Sequence, residues 1–218
     1  MVDGKSMKKK MITIATEGIL HKCEAILNNH RGYAARQGLE YEVIQKAHWE
    51  QIPACFSKVY EIERAMAEGA EIVIWADADV VFMDWKADLT KLLAPDYMLA
   101  AYHQQNWKSW TYLCAGLMVW RNTPQARAFI AEWAKRCLAG TMKDHPWEQW
   151  FLDELVRETK YDKIRPCNAR EIGCFCPEIW HDGVVWKPGM PTIHMAGPST
   201  WENRADVFAK NYLTRVVQ

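Results

Sequence analysis

Ten residues, Glu71 to Val80 (EIVIWADADV), constrain this chain more than any others. Ile72, Val73, Ile74 and Trp75 make a short, unbroken apolar run. Its length and β-branched content are those of a buried central strand, not of a helix. Asp77 and Asp79 follow where such a strand emerges. In an extended segment residues i and i+2 point the same way, so the two carboxylates converge. Converging carboxylates suit a hard divalent cation that carries phosphate oxygens. Taken alone, D-x-D is more often a polar strand exit with aspartate as turn former. The rest of the chain has to decide between the two.

Upstream, residues 11–15 read as a strand that runs into Thr16-Glu17-Gly18. A helix is expected over 20–37, with Leu20, Cys23, Ile26, Leu27 and Ala34 inward and Gly38 as its stop. Residues 41–44 form a short strand, and Ser57 caps a helix running to Glu68. Strand–helix–strand–helix–strand predicts an α/β fold with a mostly parallel central sheet flanked by helices. Ligands in such sheets bind outside the carboxyl ends of the strands, where Thr16–Gly18 and Asp77–Asp79 both fall.

Downstream the pattern predicts a short helix over 88–93, a strand over 97–102 and a polar, aromatic loop over 103–110. A strand over 114–120 follows. Thr123 and Pro124 open a helix to Leu138, and Pro146 opens another to Val156. Residues 161–190 read as irregular with short strands. A strand over 191–195 and a helix from Trp201 to about Leu213 complete the order. With no repeat or linker, residues 11–218 form one domain behind a frayed or non-native stretch, 1–10.

Lysine plus arginine and aspartate plus glutamate balance at 27 each, so no global basic field exists to hold nucleic acid or an anionic membrane. Seven cysteines, an odd number, imply reduced thiols and no disulfide framework. Cys167, Cys174 and Cys176 with His181 match no paired zinc-ligand spacing. No apolar run reaches membrane-spanning length and no signal segment follows Lys8–Lys10, which implies a cytoplasmic protein or the catalytic piece of an anchored one. Twelve tryptophans are a surplus, and Trp107 and Trp110 in the polar loop are candidates for an acceptor-stacking platform.

His194 is the candidate third ligand, and small residues Ala196-Gly197 behind it let a phosphate approach the backbone. An imidazole beside two carboxylates favours Mn²⁺ over Mg²⁺. Glu148 and Gln149 sit in the first turn of their helix, where acids are stabilised by the dipole or can face a cleft. Lys58 stands against the dipole at a helix start, which fits either an anionic partner or plain solvent exposure.

Several segments, in order, resemble GT-A glycosyltransferases. The likeness is to the retaining α-galactosyl-, α-xylosyl- and α-mannosyltransferases of fungi and plants, with kinship to glycogenin-like and lipopolysaccharide galactosyltransferases. It rests on Val73–Phe82 (VIWADADVVF), Asn29–Tyr41 (NHRGYAARQGLEY), Pro53–Lys58 (PACFSK), Cys114–Asn122 (CAGLMVWRN), the Glu148-Gln149 pair and His194–Gly197 (HMAG). It implies a metal-dependent enzyme that moves a sugar from a nucleotide-diphosphate donor, a UDP-sugar, to an acceptor hydroxyl with retention. Asp77, Asp79 and His194 would bind Mn²⁺ or Mg²⁺, and Asp77 would also touch the ribose. Thr16, Glu17 and Gly18 would lie near the base, Lys58 near ribose or phosphate, and Gly197 near phosphate. Ala115 and Gly116 would line the donor sugar. Gln149 would sit near the anomeric carbon, stabilising it through its carbonyl, with Glu148 beside donor or acceptor.

One departure is plain: Pro198-Ser199-Thr200 stands where lipopolysaccharide-type relatives carry a phosphate-holding lysine, which shifts that contact to Lys187 or Arg204. The resemblance implies a glycan or glycolipid acceptor. A hydroxymethylated base in DNA is an alternative that the surplus tryptophan favours and the zero net charge disfavours. From another class, a nucleotidyltransferase or a non-catalytic sugar-nucleotide binder would share the scaffold. Thr16–Leu20 lacks the glycine-rich basic loop of a nucleotidyltransferase.

Overall fold

The computed structural model describes residues 7–49, 52–105, 111–139, 148–159, 162–179, 184–197 and 199–218. The first half alternates strands and helices. Strand β1 (Lys9–Ile14) leads into α1 (Glu17–Leu20), α2 (Glu24–Gln37) and β2 (Glu40–Ile44). Helix α3 (Ser57–Ala67), β3 (Ile72–Ala76) and β4 (Val80–Phe82) follow. The second half runs β5 (Leu99–Gln105), β6 (Thr111–Arg121), α4 (Pro124–Ala139), α5 (Glu148–Glu158) and β7 (Ile164–Cys167). Helix α6 (Ala169–Ile172), β8 (Cys174–Phe175), β9 (Thr192–His194) and α7 (Trp201–Val207) end the order.

Six strands form one sheet in the order β2-β1-β3-β6-β5-β7. Only β6 runs antiparallel to its neighbours, so the sheet is mostly parallel, as the alternation predicts. β3 is buried at every position, and its period of two serves two cores. Ile72, Ile74 and Ala76 join one, with Tyr33, Phe82 and Phe175. Val73 and Trp75 join the other, with Trp120 and Trp133 from β6 and α4. Burying such side chains on both faces stabilises by roughly 1.5–3 kcal/mol each, and this makes β3 the natural centre of the sheet.

A second sheet, β4-β9-β8, lies on the first core's side. Helix α2 pins its β4 edge. Asn29 Nδ2 donates to Phe82 O at 2.8 Å, and the Phe82 N–H donates to Asn29 Oδ1 at 2.8 Å. His30 Nε2 reaches Val80 O while the Thr13 hydroxyl meets Nδ1 at 3.0 Å. Burial pushes the His30 pKa down to about 4, so the ring is neutral, donating through Nε2 and accepting at Nδ1.

Four sequence expectations need correction. The helix over 20–37 is broken at Cys23, whose φ of −105° and ψ of 11° are non-helical and whose buried side chain packs with Ala15, Leu27 and Ala78. Ser57 does not cap α3. A 3-10 turn over Ala54–Phe56 runs into the helix, and the Ser57 hydroxyl accepts the His48 N–H at 2.9 Å instead. The last helix stops at Val207 and widens into a π turn over Phe208–Tyr212, which buries both of those rings. Finally, the stretch read as a loop from residue 103 begins as strand, since β5 stays paired with β6 through Gln105; β7, one of the short strands expected within 161–190, forms the edge of the main sheet beside β5.

Asn29→Ala leaves the Phe82 N–H and C=O buried without that partner and should lower the unfolding free energy by about 2–4 kcal/mol. Urea denaturation measures it; an unchanged midpoint would show that β4 does not depend on this clamp.

Candidate functional site

Asp77, Ala78 and Asp79 form the turn between β3 and β4. The Asp77 N–H donates to Gly116 O of β6 at 2.7 Å, and the Val80 N–H closes the turn on Asp77 O at 2.9 Å. Ala78 is buried against Ala15, Cys23 and Leu27. The carboxylates therefore converge because the chain turns tightly around a buried alanine, not because a strand alternates through them. Strand β9 completes the group: Val80 pairs with His194, and the Met195 N–H donates to Asp79 O at 2.8 Å.

One ligand atom each from Asp77, Asp79 and His194 lies within 4.8 Å of the others. Among the described residues this is the sole such cluster. The His194 ring is held from three sides. Cys114 Sγ meets Nδ1 at 3.3 Å, Phe175 stacks at 5.5 Å, and Nε2 lies 3.2 Å from Asp79 Oδ1. Gly116 makes this possible, since a Cβ there would stand 2.2 Å from the ring. Burial disfavours the charged imidazole, but Cys114 and Asp79 outweigh it and hold the His194 pKa well above its usual range. Burial also disfavours the Asp79 carboxylate, and here His194 and Arg204 prevail, holding its pKa below the ordinary value.

Lys58 is not an exposed lysine. Its side chain is 1% exposed, with Nζ 3.1 Å from Asp77 Oδ1 and 2.6 Å from Glu148 Oε1. It also donates to Ala115 O at 3.0 Å. Burial alone would lower its pKa; the two carboxylates raise it instead. The Trp75 indole donates to Asp77 Oδ1 at 2.7 Å. On the Asp79 side, Arg204 Nη1 donates to Oδ2 at 2.6 Å, Nη2 to Gly197 O at 2.8 Å and Nε to Ser199 Oγ at 3.2 Å.

Helix α5 docks on β6 through side chains. The pairing of β5 with β6 slips between Ala101–Met118 and His103–Leu113. On that stretch the Ala115 N–H donates to Gln149 Oε1 at 2.9 Å and the Leu113 N–H to Asp153 Oδ1 at 3.0 Å. Gln149 thus spends one lone pair of its carbonyl on the strand. Asp153, one helical turn on, is a site neighbour that sequence reasoning missed, and its i+4 spacing from Gln149 was the available signal. Burial pushes the Asp153 pKa up to about 7, against the Leu113 N–H and Arg157.

The structure brings Asp77, Asp79, His194, Lys58, Glu148, Gln149, Ala115 and Gly116 into one cluster, and Gly197 joins through Arg204. Among the described residues, Thr16, Glu17 and Gly18 are joined to the aspartates by no hydrogen bond or ion pair. They follow Ala15, which packs on Ala78 at the carboxyl end of β1. Trp107, Trp110 and His181 lie outside the described residues. Cys167, Cys174 and Cys176 are buried free thiols, with Cys174 on Met190 and Cys176 on Glu178.

The family model of nucleotide-diphospho-sugar transferases matches residues 55–205, from the approach to α3 into α7. The chain belongs to this family. No curated protein matches the transferase in sequence. Solved structures share its fold. A glycosyltransferase involved in glycosylation of the major capsid of PBCV-1 superimposes with a TM-score of 0.74 at 13% identity, covering 93% of the transferase and 98% of that chain. GlyE of Streptococcus pneumoniae TIGR4 gives 0.56 at 12% identity over 98% of the transferase and 65% of its own length. An active-site mutant of LgtC gives 0.55 at 12% identity over 92% and 95%. The transferase is a glycosyltransferase of the GT-A type.

Two substitutions check this geometry. Gly116→Ala drives a methyl into the His194 ring and should cost about 1–3 kcal/mol of stability, read by thermal unfolding; an unperturbed melting curve would show that the ring has room. Asp153 has a folded pKa above its unfolded value, so ionising it destabilises the fold as pH rises through that window. Asp153→Asn should therefore stabilise the transferase by about 1–2 kcal/mol at pH 8, with the gain gone below about pH 4. Equal gains at both pH values would mean that Asp153 titrates normally.

Proposed function

We propose that this glycosyltransferase moves a sugar from a nucleotide-diphosphate donor, a UDP-sugar, to an acceptor hydroxyl, using a divalent cation and retaining configuration. The Asp77–Asp79–His194 cluster carries the reading. Two carboxylates and one imidazole fit Mn²⁺ better than Mg²⁺, and three protein ligands leave coordination places for phosphate oxygens and water. The cation, when bound, neutralises charge on the diphosphate leaving group.

The chain's own residues do the rest by position. Lys58 and the Trp75 indole orient the Asp77 carboxylate, and Cys114 and Phe175 hold the His194 ring. Thr16, Glu17 and Gly18 take the nucleotide base, and Gly197 the phosphate. Ala115 and Gly116 line the donor sugar. The second lone pair of Gln149 Oε1 faces the anomeric carbon as positive charge builds there, a preorganised dipole of the kind that lowers such barriers.

Retention is supported by the charge pairing. Asp77 and Glu148 share Lys58, and Asp79 is flanked by His194 and Arg204, so each carboxylate of the cluster is already paired. A front-face route, in which the leaving phosphate accepts the acceptor proton, needs no protein base. A glycan or glycolipid acceptor accords with this family reading.

Incubation with a panel of nucleotide sugars and Mn²⁺ should reveal slow hydrolysis of one donor, detected by release of its nucleotide. Asp79→Ala should reduce that rate by about 10³-fold or more, as loss of a charge-stabilising group does. Undiminished hydrolysis by that variant in EDTA would overturn the metal assignment.

A further inference from the structure

Asp79 has no vacant oxygen. Oδ1 faces His194 Nε2 at 3.2 Å and Oδ2 takes Arg204 Nη1 at 2.6 Å. The two partners differ in kind: His194 belongs to the ligand cluster, whereas Arg204 is a permanent cation. A divalent ion on Asp77, Asp79 and His194 would share one carboxylate with a guanidinium, and like charges so placed repel.

The other contacts of Arg204 show what stays and what can change. Nη2 and Nε bond Gly197 O and Ser199 Oγ, and the guanidinium lies 4.8 Å from the Trp201 ring centroid. All three belong to its own segment. Among the described residues, only the Asp79 bond reaches across the molecule, over 125 residues of sequence. Arg204 is also the sole cation between Gly197 and Arg204 itself. A planar fork that pairs with a carboxylate pairs equally well with phosphate oxygens.

We propose that Arg204 is an exchangeable counter-ion: it neutralises Asp79 in the metal-free enzyme, gives up that carboxylate when the cation enters, and re-pairs with the donor's diphosphate. This rests on reading Asp77–Asp79–His194 as a metal–diphosphate site. One side chain then links the two binding events. Metal entry releases the arginine, and the diphosphate recovers the pairing that was lost. Arg204 opposes the bare cation and favours the cation with nucleotide.

The test compares wild type with Arg204→Gln, Arg204→Lys and Asp79→Asn. Mn²⁺ binding without nucleotide is followed by the electron-paramagnetic-resonance signal of free Mn²⁺. UDP, GDP, ADP and CDP are then titrated by calorimetry at saturating Mn²⁺. Arg204→Gln keeps hydrogen-bonding capacity towards Gly197 and Ser199 but removes the charge. It should bind Mn²⁺ alone about tenfold more tightly, and the preferred diphosphate about tenfold more weakly, than wild type. Arg204→Lys keeps the charge without the fork and should lie between the two; it carries the comparison if Arg204→Gln fails to fold. Mn²⁺ binding by Arg204→Gln where wild type shows none also supports the exchange. Unchanged Mn²⁺ affinity, or unchanged diphosphate affinity, in a folded Arg204 variant overturns it. If wild type binds Mn²⁺ and Asp79→Asn does not, that failure leaves the metal site standing. If no protein in the set binds Mn²⁺, with or without diphosphate, the site reading falls together with the exchange.

Discussion

A buried ammonium organises the end of the sheet that carries the D-x-D turn. Lys58 projects from the first turn of α3 to meet Asp77 at the exit of β3, Glu148 at the start of α5 and the Ala115 carbonyl of β6. Four elements that are distant in sequence thus share one charge. Removing either partner from such a group leaves an uncompensated charge in a poorly solvated place, which is far more costly than the pair itself is stabilising. The arrangement explains why a cation is tolerated at a helix N-terminus, where the dipole disfavours it. The two carboxylates supply the opposite field at shorter range.

Charge balance extends across the D-x-D turn. Lys58 stands on the Asp77 side and Arg204 on the Asp79 side. Two acids only one residue apart would otherwise repel each other, and burial would disfavour both ionised forms. The flanking cations and the raised pKa of His194 keep the cluster near neutrality. A site built this way is assembled before any ligand arrives, and ligand charges then enter by exchange and not by simple addition.

Much of the frame was legible in the chain. β3 is readable because an apolar run buried on both faces has few other places to go, and the glycine stop of α2 is observed with φ of 64° at Gly38. Strands β4 and β7, of three and four residues, are too short to show a period. The break before α2 is hidden because inward residues continue through Cys23. At the site, the residue types of Asp77, Asp79, His194, Glu148 and Gln149 were visible, but their partners were not. Lys58 looks like an anomaly until tertiary contact supplies Glu148, and nothing around Gly116 in the chain announces that the His194 ring lies against it. Such contacts join residues tens of positions apart and leave no local pattern.

The D-x-D turn is also the seam between the two sheets. Its first aspartate is bonded through its backbone N–H to β6 of the large sheet, and the carbonyl of its second accepts from Met195 at the end of β9 in the small one. The three side chains of the candidate metal cluster are therefore divided between two sheets that meet across a shared core. Their spacing works as a caliper on how those sheets are seated. A repacking of Phe82, Phe175 or Ile193, none of which belongs to the Asp77–Asp79–His194 cluster, would register first as a change in the spacing of those three side chains and only later as a loss of fold.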